Sequence, residues 1–98
     1  MDFAVDEKGG CLTLFISGDP DVAAGLDEQI ARLLEGDSRD IIIDLKGLTR
    51  INSMTLALLL GFKNDMTKRN RKLRVRNPEN RVRRIIEMAT LDTFLLED

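Results

Sequence analysis

A chain of 98 residues, 43% hydrophobic and 33% charged, has the length and composition of one soluble domain with a single modest core. It contains no histidine, which removes the usual general base, the Ser-His and Cys-His nucleophile pairs and most zinc sites. Its lone cysteine, Cys11, cannot form an internal disulfide.

The net charge of -2 hides an asymmetry. Residues 63–84 hold ten of the fifteen basic side chains, and the first 44 residues hold eleven of the seventeen acidic ones, a polarity able to steer a charged partner. No apolar run is long enough to cross a bilayer. The acidic start Met1-Asp2-Phe3-Ala4-Val5-Asp6 lacks the basic and apolar regions of a secretion signal. Membrane insertion is therefore not expected, and the cytoplasm is the expected compartment. Cys11 reads as a small buried residue rather than a reactive thiol.

Phe3 and Val5 open a strand, and Lys8-Gly9-Gly10 turns it. Leu12, Leu14 and Ile16 then alternate with Thr13, Phe15 and Ser17, the pattern of a β-hairpin. Gly18-Asp19-Pro20 ends the hairpin, with Asp19 placed to cap a helix and Pro20 at its first position. Val22, Leu26, Ile30, Leu33 and Leu34 follow at helical spacing, and Gly36 stops this first helix. Ile41-Ile42-Ile43 is a β-branched run without alternation. It predicts a strand buried on both faces near the middle of a sheet, followed by a turn at Lys46-Gly47.

A second helix is predicted from about Ser53 to Asn70. Leu56, Leu59, Phe62 and Met66 share its core face, with Leu60 at the margin. Met54, Ala57, Leu58 and Gly61 lie on the other side, an apolar patch beside the helix start, although scattered exposed apolar residues are ordinary. Leu73 and Val75 alternate with Arg74 and Arg76 in a strand with one wet face. Asn77-Pro78 repeats the cap-then-proline signal, and Val82, Ile85, Ile86 and Ala89 mark a third amphipathic helix. Leu91, Phe94, Leu95 and Leu96 close the chain as an edge strand or a docked segment. The order ββαβαβα predicts one α/β domain over residues 1–98, a mixed β-sheet covered by amphipathic helices.

No Gly-x-Gly-x-x-Gly or Gly-x-x-x-x-Gly-Lys segment offers a phosphate cradle. Asp40 and Asp44 stand four apart on a strand and share a face, but carboxylates flanking a strand are usually solvated ends or helix-dipole partners. No catalytic residue, cofactor or metal is expected. The run Lys68-Arg69-Asn70-Arg71-Lys72-Leu73-Arg74-Val75-Arg76 raises nucleic-acid binding. Single-strand binders add aromatic platforms, however, and the chain has four Phe, none of them in this run, and no Tyr or Trp. Cations at the C-terminal end of the second helix complement its dipole, and Arg74 and Arg76 suit a wet strand face, so nucleic acid is not the favoured partner. From spacing alone, Asn52 and Ser53 are a plain helix cap, worth about 1 kcal/mol.

The stretch Ile41-Ile42-Ile43-Asp44-Leu45-Lys46-Gly47-Leu48-Thr49-Arg50-Ile51-Asn52-Ser53-Met54-Thr55-Leu56 resembles a STAS domain of the anti-sigma-factor antagonist type. That family's signature is a hydrophobic strand ending in Asp-Leu, a short loop, and Asp-Ser-x-Gly-Leu opening a helix. Residues 73–94 are similar to its last strand and helix. Leu14-Phe15-Ile16-Ser17-Gly18-Asp19 is similar to its second strand, so the likeness covers nearly the whole chain. The resemblance implies a non-enzymatic binding module. In the family, the serine is phosphorylated by a partner that is both kinase and anti-sigma factor. The unmodified form binds that partner and frees the sigma factor, and a phosphatase restores it.

Carried over by position, the resemblance puts Ser53 in the phospho-acceptor place, with Thr55 as a second candidate hydroxyl. Asn52 stands where the family has aspartate, and Thr55 where it has glycine. Partner contacts are expected at Asn52, Ser53, Met54, Thr55, Ala57, Leu58 and Gly61. Two further readings stay open. One is a STAS adaptor subunit that regulates a transporter ATPase or a signalling complex without phosphorylation. The other is nucleic-acid binding through residues 68–76.

Overall fold

Alternating apolar residues on either side of Gly9-Gly10 fold back as β1 (Asp2–Lys8) and β2 (Cys11–Gly18). The two are antiparallel, with Phe3 opposite Ile16 and Val5 opposite Leu14. The structure, a computed structural model, describes residues 2–18 and 25–89. Asp19, Pro20 and Val22, expected to open the first helix, and the apolar tail from Leu91 to Leu96 lie outside the described residues. Helix α1 (Leu26–Glu35) follows Gly25, whose φ of 84° is in the left-handed region that favours glycine. Leu26, Ile30, Leu33 and Leu34 are buried along one side of it, and Gly36 ends it.

Strand β3 (Asp40–Leu48), helix α2 (Ser53–Lys68), strand β4 (Leu73–Arg76) and helix α3 (Asn80–Met88) follow. The sheet order is β1-β2-β3-β4, with β2, β3 and β4 parallel, so the sheet is mixed. Each parallel step needs a crossover, and such crossovers are right-handed. The steps from β2 to β3 and from β3 to β4 move across the sheet in the same direction, which brings α1 and α2 to the same face. There Leu12, Leu14, Ile16, Ile41, Ile43, Leu73 and Val75 from the sheet form one core with the buried residues of α1, with Leu56, Leu59, Phe62 and Met66 of α2, and with Val82 and Ile86 of α3. Ile42 points to the opposite face, beside Thr13 and Arg74, and is only half-buried. The Ile41–Ile43 strand is thus central, as expected, but is not sealed on both sides.

Lys46 and Gly47 do not form the expected turn; they continue β3. Pairing shifts there, since Phe15 faces Asp44 whereas Ser17 faces Gly47, so β3 carries one extra residue as a bulge. The bulge explains how Leu45 and Leu48, three residues apart, are both buried. Glycine is required at position 47, where a Cβ would lie 2.6 Å from the Cβ of Ser17.

Two polar nodes pin the ends of these elements. Arg71, only 7% exposed, donates from Nε to the Arg39 carbonyl at 2.8 Å and from Nη1 and Nη2 to the carbonyls of Leu34 and Leu33, each at 3.2 Å. Arg69 reaches the Leu34 carbonyl at 3.4 Å. These cations satisfy the open carbonyl end of α1 rather than that of α2, the helix whose dipole the sequence suggested. At the second node, buried Asp44 accepts from the Lys46 N–H at 2.9 Å, Arg76 Nε at 3.1 Å and Asn77 Nδ2 at 3.2 Å. Burial raises the Asp44 carboxyl pKa, but the three donors outweigh it and hold it below the usual carboxylate value.

Asn77 adopts φ 55° and turns its side chain to Asp44, so it does not cap α3. That helix begins two residues after Pro78, with Glu79 at the cap position. Ile85, expected in the core, is 42% exposed; it lies about 100° around the helix from Ile86. Leu59→Ala should therefore cost about 2–5 kcal/mol in chemical denaturation, and Ile85→Ala about 0.5 kcal/mol or less. Equal losses from the two would contradict this division between core and surface.

Candidate functional site

β3 leaves the sheet at Leu48, and Thr49 ties the following loop to the end of β2. Its N–H and its hydroxyl both donate to the Gly18 carbonyl, each at 3.1 Å. The backbone stays extended at Asn52 (φ -107°, ψ 170°). Asn52 Oδ1 accepts from the Thr55 N–H at 2.8 Å, and its carbonyl accepts from the Leu56 N–H at 3.0 Å. Asn52 is thus the N-cap that its residue type predicts, and Ser53 is the first residue of α2. The cap satisfies the N–H of Thr55. The N–H groups of Ser53 and Met54 have no carbonyl a turn earlier to receive them, and they face outward at the positive end of the helix dipole.

Ser53 is exposed, and Met54 beside it is 60% exposed. Ala57 and Gly61 lie exposed along the same side of the helix. A Cβ added at Gly61 would meet nothing within 4 Å. The fold itself therefore makes no use of a glycine that costs about 1 kcal/mol relative to alanine in a helix interior.

Two of the predicted contact residues turn inward. Leu58 is half-buried and packs against the core, because its position borders the Leu59 stripe. Thr55 is fully buried, and its Oγ1 has no hydrogen-bond partner among the described residues. That enclosure removes Thr55 as an accessible second hydroxyl. The structure brings together Asn52, Ser53, Met54, Ala57 and Gly61.

The basic run is dispersed. Arg69 and Arg71 serve α1, and Arg76 holds Asp44. Just before the run, Lys63 donates to the Leu73 carbonyl at 2.9 Å; burial, and then the charge of Arg74, lower its pKa. Among the described residues, no group of three or more Cys, Asp or Glu side chains is placed to hold a metal ion. No described helix is long and apolar enough to cross a membrane.

Sequence reasoning missed a cleft of about 550 Å³ next to the helix start, lined by Arg50, Ile51, Asn80, Arg81, Arg84 and Ile85. Its two walls are thirty residues apart in the chain, and only the adjacency of β3 and β4 brings them together. The orphaned Thr55 hydroxyl yields a stability prediction. Thr55→Val should raise stability by about 1 kcal/mol in chemical denaturation, because it removes a buried unpaired polar atom. A loss of similar size would show that the hydroxyl has a partner.

Comparison with known proteins bears on this geometry. A family model described as "Mlab, STAS domain" matches residues 3–97. An anti-sigma factor antagonist from Mycobacterium paratuberculosis has the same fold, with a TM-score of 0.84 at 24% identity over 96% of this chain and 81% of that one. The anti-sigma factor antagonist SpoIIAA in its unphosphorylated form gives a TM-score of 0.84 at 17% identity, covering 99% of this chain and 88% of that one. The Bacillus cell fate determinant SpoIIAA in its phosphorylated form gives 0.75 at 16% identity, covering 99% and 91%. No curated protein sequence matches. The structural likenesses establish the fold, and the family model, which spans nearly all of the sequence, establishes that this chain belongs to the STAS domain family.

Proposed function

We propose that this chain is a non-catalytic regulatory module that binds an anti-sigma factor with serine-kinase activity through the exposed start of α2. Phosphorylation of Ser53 ends the binding, and a phosphatase restores it. The observation that carries this reading is the exposed Ser53 hydroxyl at a helix N-terminus, flanked by exposed Met54, Ala57 and Gly61. A phosphate there adds about -1.5 to -2 charge at neutral pH. It would meet the open N–H groups of Ser53 and Met54 and the positive end of the helix, so the domain tolerates it. Binding does not, because a partner surface shaped for a neutral hydroxyl and an apolar strip must then desolvate a doubly charged group. SpoIIAA, which shares this fold, exists in both a phosphorylated and an unphosphorylated form.

A second reading is an adaptor subunit that regulates a transporter ATPase without phosphorylation. One observation favours it: the family model that matches is described as the Mlab STAS domain rather than as an antagonist. Nucleic-acid binding through residues 68–76 has weaker support, since Arg69, Arg71 and Arg76 are engaged within the fold.

Incubation with the kinase of the source organism and ATP, followed by mass spectrometry, should place phosphate on Ser53 alone. Ser53→Asp and Met54→Asp should each weaken capture of that kinase by tenfold or more at an unchanged melting temperature. A protein that stays unmodified and binds its partner equally well as Ser53→Asp would remove the switch and promote the adaptor.

A further inference from the structure

We propose that the cleft between the β3–α2 loop and α3 receives an acidic, amphipathic segment of a protein partner. This deepens the reading of the chain as a protein-binding module. The cleft measures about 550 Å³, within the range of real binding pockets. It is lined by Ile51 and Ile85 together with Arg50, Arg81 and Arg84, and no acidic side chain is among its described lining residues. Arginine beside apolar surface is the composition that protein interfaces favour, and the guanidinium fork matches a carboxylate in two-point geometry.

The charge on α3 is placed against the helix's own interest. Its first turn holds no acidic residue, its cap residue Glu79 makes no side-chain cap bond, and Arg81, Arg83 and Arg84 crowd the positive end of the dipole. Among the described residues, neither Arg81 nor Arg84 has a carboxylate within ion-pair distance. An incoming carboxylate would relieve both the repulsion and the open helix end.

The apolar part follows the same face. Arg81, Arg84, Ile85 and Met88 are spaced i, i+3, i+4 and i+7, so they form one stripe. Ile85 and Met88 remain large and exposed on it, while Val82 and Ile86 on the neighbouring face are buried. A helix of nine residues therefore presents two amphipathic faces, and only one is used by the core. An aliphatic side chain of the partner fits over Ile51 and Ile85 while its carboxylates meet the arginines. None of its described lining residues is an aromatic on which a nucleic-acid base would stack. Arg50 and Ile51 directly precede Asn52 and Ser53, so one partner can span both surfaces.

The test is fluorescence anisotropy of the intact chain with a labelled synthetic twelve-residue peptide bearing glutamate on one helical face and leucine on the other. Saturable binding is expected. It should weaken at least tenfold in the double variant Arg81→Glu, Arg84→Glu, in Ile85→Asp, and when glutamine replaces glutamate in the peptide. The double variant Lys68→Glu, Lys72→Glu, which makes the same change in net charge away from the cleft, should bind within twofold of the parent. Equal weakening by the two charge pairs, or no binding to the parent, would overturn the proposal. So would tighter binding of a single-stranded oligonucleotide that is lost in the Arg81, Arg84 variant. These outcomes stand apart from the Ser53 reading, because loss of kinase capture in Met54→Asp leaves them unchanged.

Discussion

Two parallel steps taken in one direction across the sheet are the constraint on which the rest of the molecule depends. Since β2, β3 and β4 lie side by side in chain order, crossovers of one hand must stack α1 and α2 on a single face. That face becomes the core, and the other keeps Thr13, Phe15, Ile42 and Arg74 with no described helix over them. The same rule sets both candidate surfaces at one end of the sheet. Helices α2 and α3 each begin where a parallel strand ends, the position at which α/β proteins commonly place their binding residues. Ser53 and the arginine-lined cleft are neighbours for that reason, although one wall of the cleft comes from α3, which follows β4.

Rigidity around these surfaces comes from polar groups that the core could not otherwise accommodate. Asp44 is buried at the end of β3, and its three donors come from β3 itself, from β4 and from the turn after β4. That node fixes where the chain leaves the sheet toward Asn52. Arg71 performs the matching task at the opposite end, closing the carbonyl end of α1 and joining it to the residues before β3. Removal of Arg76 would leave the buried Asp44 carboxylate short of its charged donor, and removal of Arg71 would leave the carbonyls of Leu33, Leu34 and Arg39 without that donor; either is more disruptive than the loss of a surface ion pair.

The elements legible in the sequence were those governed by local periodicity. The Leu56, Leu59, Phe62, Met66 stripe, the Gly9-Gly10 hairpin and the Asn52 cap each follow from neighbours within a few residues. Readings that depended on tertiary placement went astray. The isoleucine run looks the same whether one or both faces are covered, and only the direction of the crossovers decides that Ile42 stays half open. Lys46-Gly47 reads as a turn until the strand beside it demands a bulge and a residue without a Cβ next to Ser17. Asn77-Pro78 carries the cap signal, but Asp44 takes the asparagine side chain. At the candidate site, the resemblance to STAS domains singled out Ser53, which the fold leaves exposed at the start of α2. It could not show that Thr55 and Leu58 turn toward the core, because a one-residue rotation on α2 separates the exposed strip from the buried one. The cleft had no local signature at all.

The central claim is that a partner engages the start of α2 and that the domain keeps its fold when it does so. Amide hydrogen exchange, compared between the free chain and its complex with the captured kinase, tests this most directly. The N–H groups of Ser53 and Met54 have no intrahelical acceptor and should exchange rapidly in the free protein. The account predicts that they become protected in the complex while the amides of β2 and β3 are unchanged. Protection that falls instead on Thr13, Phe15 and Ile42, with Ser53 and Met54 as fast as before, would contradict it and move the interface to the face of the sheet opposite α1 and α2.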